Sequence, residues 1–322
     1  MLSAKQFWIL LKEGFAQWWN EDRPFELAAA LAYYTLFSLA PLLVIAISVA
    51  GFVFGREAAQ DEVVRTLSEF VGRDAGVAIQ NMVENASKQH ASNSIFAMLL
   101  GVALLLFGAG GVVGQLQSSL NMIWGVEPKA GRGLLGFIKD RFVSYAMVLG
   151  VGFLLLVSLI VTAALSAFDQ FLQSTMPGAG ALLQLIHFVV SLGLIALLFA
   201  SIYRFVPDAR IAWRDVWIGG ILTAVLFNVG KFLIGLYLGQ SSVTSVYGAA
   251  GSLVTLLLWI YYSSLIFFFG AELTQVYASR FGLGLAPAEN AQPAAPEIQR
   301  GKRVQTGKGT ATKRRAAHRP RA

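Results

Sequence analysis

The chain has 322 residues, 56% hydrophobic and only 13% charged, and it contains no cysteine. That charged share is well below the roughly 25% usual for soluble domains, which excludes an ordinary soluble protein, and the missing thiols exclude disulfides and thiolate metal sites. The net charge of +7 arises wholly in residues 281–322, because residues 1–280 balance 16 bases against 16 acids.

A hydrocarbon core of roughly 30 Å needs about 20 apolar residues of helix. Stretches of that length lie near 27–54, 94–114, 142–167, 182–203, 213–238 and 250–276. The predicted fold class is all-α: a polytopic membrane protein with six transmembrane helices over 27–280, an amphipathic helix within 1–26, and a disordered basic tail over 281–322. The first 26 residues are too long a lead for a cleavable signal. Within them Phe7, Leu10, Leu11, Phe15 and Trp18 recur at helical spacing opposite Lys5, Lys12 and Glu13. Such a helix lies in the membrane interface or packs against the end of the bundle.

Span one carries Pro41 near its middle, where a kink is expected, and Tyr34, Ser38 and Pro41 share its face at steps of four and three. That face is either a polar wall of a substrate cavity or an interior packing surface. The outer loop of 55–93 is too long for a structureless connection, and its apolar residues predict two short amphipathic helices, around Val63–Val71 and Val77–Val83. Span two is rich in glycine, with Gly110 and Gly114 at a spacing that lets helices approach closely; packing within the chain is the first reading and a homo-oligomer the second. Beyond it the helix continues in polar form through Gln115, Ser119 and Asn121 to Trp124.

Span three has almost no polar content. In span four His187 stands alone, and no His, Asp and Glu cluster with hydrolase spacing exists, so no metal ion or cofactor is expected. Two ionisable residues lie inside later spans, where burial is costly and a functional role is the default. Lys231, with Asn228 one turn before it and Tyr237 beyond, lies about 25 Å along span five from Arg214, and Glu272 lies about 12 Å before Arg280 in span six. The two differ in depth, so the expected partner of Glu272 is Arg204, Arg210 or Arg214; the structural alternatives are a Lys231 that snorkels to the interface and a Glu272 that only locks two helices together. The small, polar stretch 240–252, which includes Tyr247, is a plain loop or a broken entrance to span six.

The segments before span one and after spans two, four and six are basic, while the 168–181 and 239–249 loops have no Lys or Arg; the exception is the long 55–93 loop, whose four bases are offset by six acids and which can cross regardless of charge. The positive-inside rule then places both termini in the cytoplasm. The tail from Pro287 is rich in Ala, Pro, Gly and Gln and cannot bury a core. The first reading is a solvated tail that contributes only topology; the second is attraction to anionic lipid beside a cytoplasmic leaflet, and nucleic acid is not expected as a partner.

Several of these segments together resemble one family. Leu31-Ala-Tyr-Tyr-Thr-Leu-Phe-Ser-Leu-Ala-Pro41, Leu120-Asn-Met-Ile-Trp-Gly125, Val206-Pro-Asp-Ala-Arg210, Val246-Tyr-Gly-Ala-Ala250 and Gly270-Ala-Glu-Leu273 look like motifs of the YihY/BrkB family of bacterial inner-membrane proteins, in consistent order over about residues 5–280. The resemblance implies six helices in the inner membrane with both termini cytoplasmic. Members have been named ribonuclease BN, associated with serum resistance, and linked to movement of envelope lipid precursors. RNA hydrolysis needs positioned metals or an acid and base pair with phosphate-binding cations, and no such set is visible, so an enzyme ranks third.

The leading expectation is a transporter or flippase for an amphipathic or lipid-like envelope substrate. Its path would be drawn from Tyr34, Ser38, Pro41, Arg204, Asp208, Arg210, Asn228, Lys231, Tyr237, Tyr247 and Glu272, with membrane lipids as partners. The alternative is a non-transporting scaffold whose tail and outer loop recruit other envelope proteins.

Overall fold

A computed structural model describes residues 3–20, 22–71, 73–89, 95–129, 180–240, 250–282 and 284–294. The expected span at 142–167, Tyr247 and the residues after 294 lie outside them. Among the described residues there are eight α-helices, α1 (Ala4–Asn20), α2 (Pro24–Phe54), α3 (Arg56–Val71), α4 (Arg73–Gln89), α5 (Ile95–Trp124), α6 (Gly180–Phe205), α7 (Trp213–Gln240) and α8 (Gly251–Arg280). The chain is mostly helical, as a segment that must satisfy its own backbone groups in lipid requires. Stretches of α6 (Phe188–Phe205) and α7 (Trp213–Tyr237) and the whole of α8 are long and apolar enough to cross a membrane.

Local chemistry sets the helix ends. Pro24 opens α2, where its missing N–H leaves nothing unsatisfied. The helix runs unbroken across Pro41 and stops at Gly55, whose φ of 85° suits glycine. The segment after it forms α3 and α4, whose Ala59, Ala78, Ile79 and Val83 pack over Leu43 of α2 and Leu256 of α8. These two helices therefore close one end of the bundle, called here the hairpin end.

Helix α8 is the central element, packing against α1, α2, α4, α5 and α7. The largest core joins Leu27 and Leu31 of α2, Leu120 of α5, Ala200 of α6, Val216 of α7 and Phe268 of α8. A smaller one seats Leu10 of α1 on Leu273, Val276 and Tyr277 of α8. Gly14 lets α1 approach there, since a Cβ on it would lie 2.6 Å from Leu273 Cδ2, and an ion pair of 2.7 Å joins Glu13 to Arg280.

Two short antiparallel strand pairs mark the opposite, strand end. β1 (Val126–Pro128) pairs with β4 (Ala291–Pro293), and β2 (Ala209–Arg210) pairs with β3 (Ala286–Pro287). This corrects the expected start of the disordered tail at 281: residues 284–294 form a strap across the ends of α5, α6 and α7. Composition misled because the strap is held through its backbone. Ala288 N–H donates to Asp208 O at 2.9 Å and Ala294 N–H to Gly125 O at 2.9 Å, while the small side chains of Ala291 and Ala294 are buried.

Candidate functional site

Among the described residues α7 and α8 make a close helix contact through small residues. Both carry the pattern Gly-x-x-Leu-Thr, at Gly219–Thr223 and Gly270–Thr274. The helices run antiparallel, and each glycine faces the other helix's threonine. A Cβ on Gly219 would lie 2.6 Å from Thr274 Cβ, and one on Gly270 would lie 2.8 Å from Thr223 Cβ. Each threonine donates its hydroxyl proton to the carbonyl of the glycine four residues before it, Thr223 to Gly219 and Thr274 to Gly270, both at 2.7 Å. Both polar groups are thereby satisfied inside an apolar contact, which small residues make close. Tyr203 of α6 completes the cluster, donating to Phe267 O at 2.7 Å with its oxygen 3.1 Å from Thr223 Oγ1.

That register fixes depth. Gly230 faces Tyr262, so the neighbouring Lys231 lies at the level of Tyr262, ten residues and about 15 Å along α8 from Glu272. Lys231 and Asn228, together with Phe232, Gly235 and Leu236, line a shallow, wide-open groove on one face of α7, to which no other helix among the described residues contributes lining. Asn228 donates its amide to Ala224 O at 2.9 Å. Tyr237, one turn further, is exposed. The groove thus combines a cation and an amide with an apolar floor.

The other sequence candidates separate into three places. Tyr34 and Ser38 of α2 both flank Gly111 of α5, with Tyr34 Cδ1 3.1 Å and Ser38 Oγ 3.9 Å from where a Cβ would stand. Ser38 is 2% exposed and Tyr34 41%, so the face is closed on α5 at Ser38 and partly open at Tyr34. Pro41 lies seven residues along the same helix from Tyr34.

Arg204, Asp208 and Arg210 gather at the strand end. Asn121 donates to Asp208 Oδ2 at 2.9 Å and accepts from Asp208 N–H at 2.7 Å, tying the end of α5 to the turn between α6 and α7. Arg204 donates to Ile211 O and stacks over Trp213, 4.9 Å from its ring centre. Arg210 pairs with Glu289 of the strap at 2.5 Å, and Lys129 donates to Glu289 O at 2.8 Å. Two of the three arginines expected to meet Glu272 are therefore engaged at the strand end. Glu272 itself is 1% exposed within α8; it lies two residues from Gly270, about 200° round the helix and so on the side away from α7.

Sequence reasoning passed over Tyr203, Thr223, Thr274 and Glu289. The repeated Gly-x-x-Leu-Thr was the available signal for the threonines; Tyr203 and Glu289 carried none. Among the described residues no three His, Asp or Glu side chains are grouped to hold a metal ion.

Apolar helices of spanning length, packed through small residues around a central α8, define an integral membrane protein of the helical class. The family model described as Virulence factor BrkB matches residues 15–296, and the chain belongs to this BrkB family. It is similar to a UPF0761 membrane protein of Tolumonas auensis, 34% identical over 269 residues that cover 80% of this chain and 81% of the relative. A UPF0761 membrane protein of Psychromonas ingrahamii is 32% identical, with 77% and 80% covered. One from Pseudomonas aeruginosa is 31% identical over 76% of this chain, and there the match spans only 57% of the relative's length. No solved structure matches.

Proposed function

We propose that this protein moves an amphipathic, lipid-like molecule of the cell envelope, and that the groove on α7 belongs to its path. The observation that carries this reading is the placement of Lys231 and Asn228 beside Phe232 and Leu236 in the largely apolar stretch of α7 that follows its charged first turn. A cation at membrane depth is costly to keep, and an anionic head group with an acyl chain matches both halves of that lining. The topology belonging to this proposal is six spans in the bacterial inner membrane, with the strand end and both termini on the cytoplasmic side, where the short basic segments lie. The basic residues after 294 would then face anionic lipid.

Native mass spectrometry with lipid analysis tests it. The protein, extracted gently from its own membrane, is compared with Lys231→Ala and with Glu272→Gln at equal protein levels. A particular lipid or glycolipid retained by the unaltered chain and lost in Lys231→Ala supports the path and names the substrate class. Bulk phospholipid alone, unchanged by either substitution, overturns it and leaves a scaffold as the better account.

A further inference from the structure

We propose that α1 is seated at the boundary between head groups and acyl chains of the leaflet at the strand end, with Trp8, Phe15 and Trp19 as its lipid-facing side. Helix α1 has three sides rather than two. Leu10, Gly14 and Trp18 are buried against α8. At about 100° per residue, Trp8, Phe15 and Trp19 fall within about 40° of one another, a third of a turn from the buried side. They are 68%, 52% and 54% exposed. Glu13, Ala16 and Asn20 occupy the remaining side, and Lys5 and Lys12 stand on its border with the aromatic one.

Three observations name the leaflet as what covers the aromatic side. The first is reach: only residues 21–23 separate α1 from α2, and four peptide steps span at most about 14 Å, so α1 cannot leave the surface from which α2 departs. The second is continuity. The Trp19 ring meets Phe25 of α2 edge-on at 5.2 Å, and further along α2 the exposed Tyr33 and Phe37 rings meet at a tilt with their centres 4.7 Å apart. An exposed aromatic strip thus runs from α1 onto the flank of a long apolar helix. The third is chemistry, since tryptophan prefers the interface and lysine can reach head groups while its stem stays on apolar surface. The inference rests on membership in a membrane-protein family and is independent of any transported substrate.

The absence of cysteine makes the test clean. Single spin labels at Trp8→Cys, Phe15→Cys, Trp19→Cys and Ala16→Cys are read in the full chain, in nanodiscs of phosphatidylethanolamine and phosphatidylglycerol, by collision with oxygen and with a water-soluble nickel chelate. Labels at 8, 15 and 19 should gain oxygen over nickel accessibility, and the label at 16 should show the reverse. Nickel accessibility at 8 and 19 equal to that at 16 would place the aromatic side in water. Low accessibility to both probes would place it under protein, such as a second copy of the chain. Either result overturns the proposal. If the labelled variants do not assemble, Trp8→Phe and Trp19→Phe replace them: each should remove part of the tryptophan quenching by lipids brominated near the head group, and unchanged fractional quenching overturns the proposal equally.

Discussion

Thr223 of α7 stands against Gly270 of α8, and the same pairing recurs in mirror order between Thr274 and Gly219. Each glycine is there because a threonine occupies the volume its side chain would need. Gly219→Ala should therefore destabilise the protein by about 1–3 kcal/mol through overpacking. Because Thr274 is what the new methyl meets, Thr274→Ala added to Gly219→Ala should recover much of the loss. Thermal unfolding in detergent of the two single variants and the double variant measures this, and strict additivity would show that the two residues do not share the contact.

Tyr203 reaches the same crossing from α6. Tyr203→Phe removes the hydroxyl that donates to Phe267 O while keeping the ring against Phe267 and Phe199. The expected cost is about 0.5–1.5 kcal/mol, the usual worth of one such bond. A lowered midpoint with unchanged helix content by circular dichroism is the predicted result.

At the strand end, Asn121 and Asp208 exchange two hydrogen bonds. Asn121→Ala should cost about 1–3 kcal/mol, because a carboxylate oxygen and a backbone N–H both lose their partner. Asp208→Asn should be milder, since an amide oxygen can still accept from Asn121. A double-mutant cycle on Asn121→Ala and Asp208→Ala should show coupling between them, and zero coupling would refute the tie. By contrast Glu289→Gln should cost less than about 1 kcal/mol, because its partner Arg210 is exposed and such pairs contribute little.

The strap gives a geometric prediction. Glu127 and Gln292 are directly opposite in the β1 and β4 pair, so their Cβ atoms lie about 4.5–5.5 Å apart. Since the chain has no other thiol, Glu127→Cys with Gln292→Cys should form one disulfide on mild oxidation, detected by peptide mapping. A shifted pair, Glu127→Cys with Asn290→Cys, should crosslink far less. Equal yields would mean that the strands are not held in this register.

Hydropathy made the long helices legible, because spanning a bilayer imposes length and composition on a segment directly. The contents of the site were harder. Asn121 and Asp208 lie 87 residues apart, and nothing local marks either as the other's partner. The strap escaped notice because alanine and proline look like linker when hydrophobic burial is the criterion, while its attachment is made by main-chain groups that every sequence has. Tyr34 and Ser38 are legible as one face of α2, yet only the structure shows that Gly111 of α5 stands opposite them. For α1, a two-sided reading left interface and packing as alternatives, whereas the helix has a separate side available for each.

The β1 and β4 pairing has a consequence for biogenesis. Val126 and Pro293 are register partners, so the knot at the strand end cannot be tied until synthesis has passed Pro293. Contacts of such sequence separation form late, after local ones are in place. During insertion the ends of α5, α6 and α7 are consequently unclasped, and a product that terminates before Ala286 would keep its helices while lacking the fastening that finishes them.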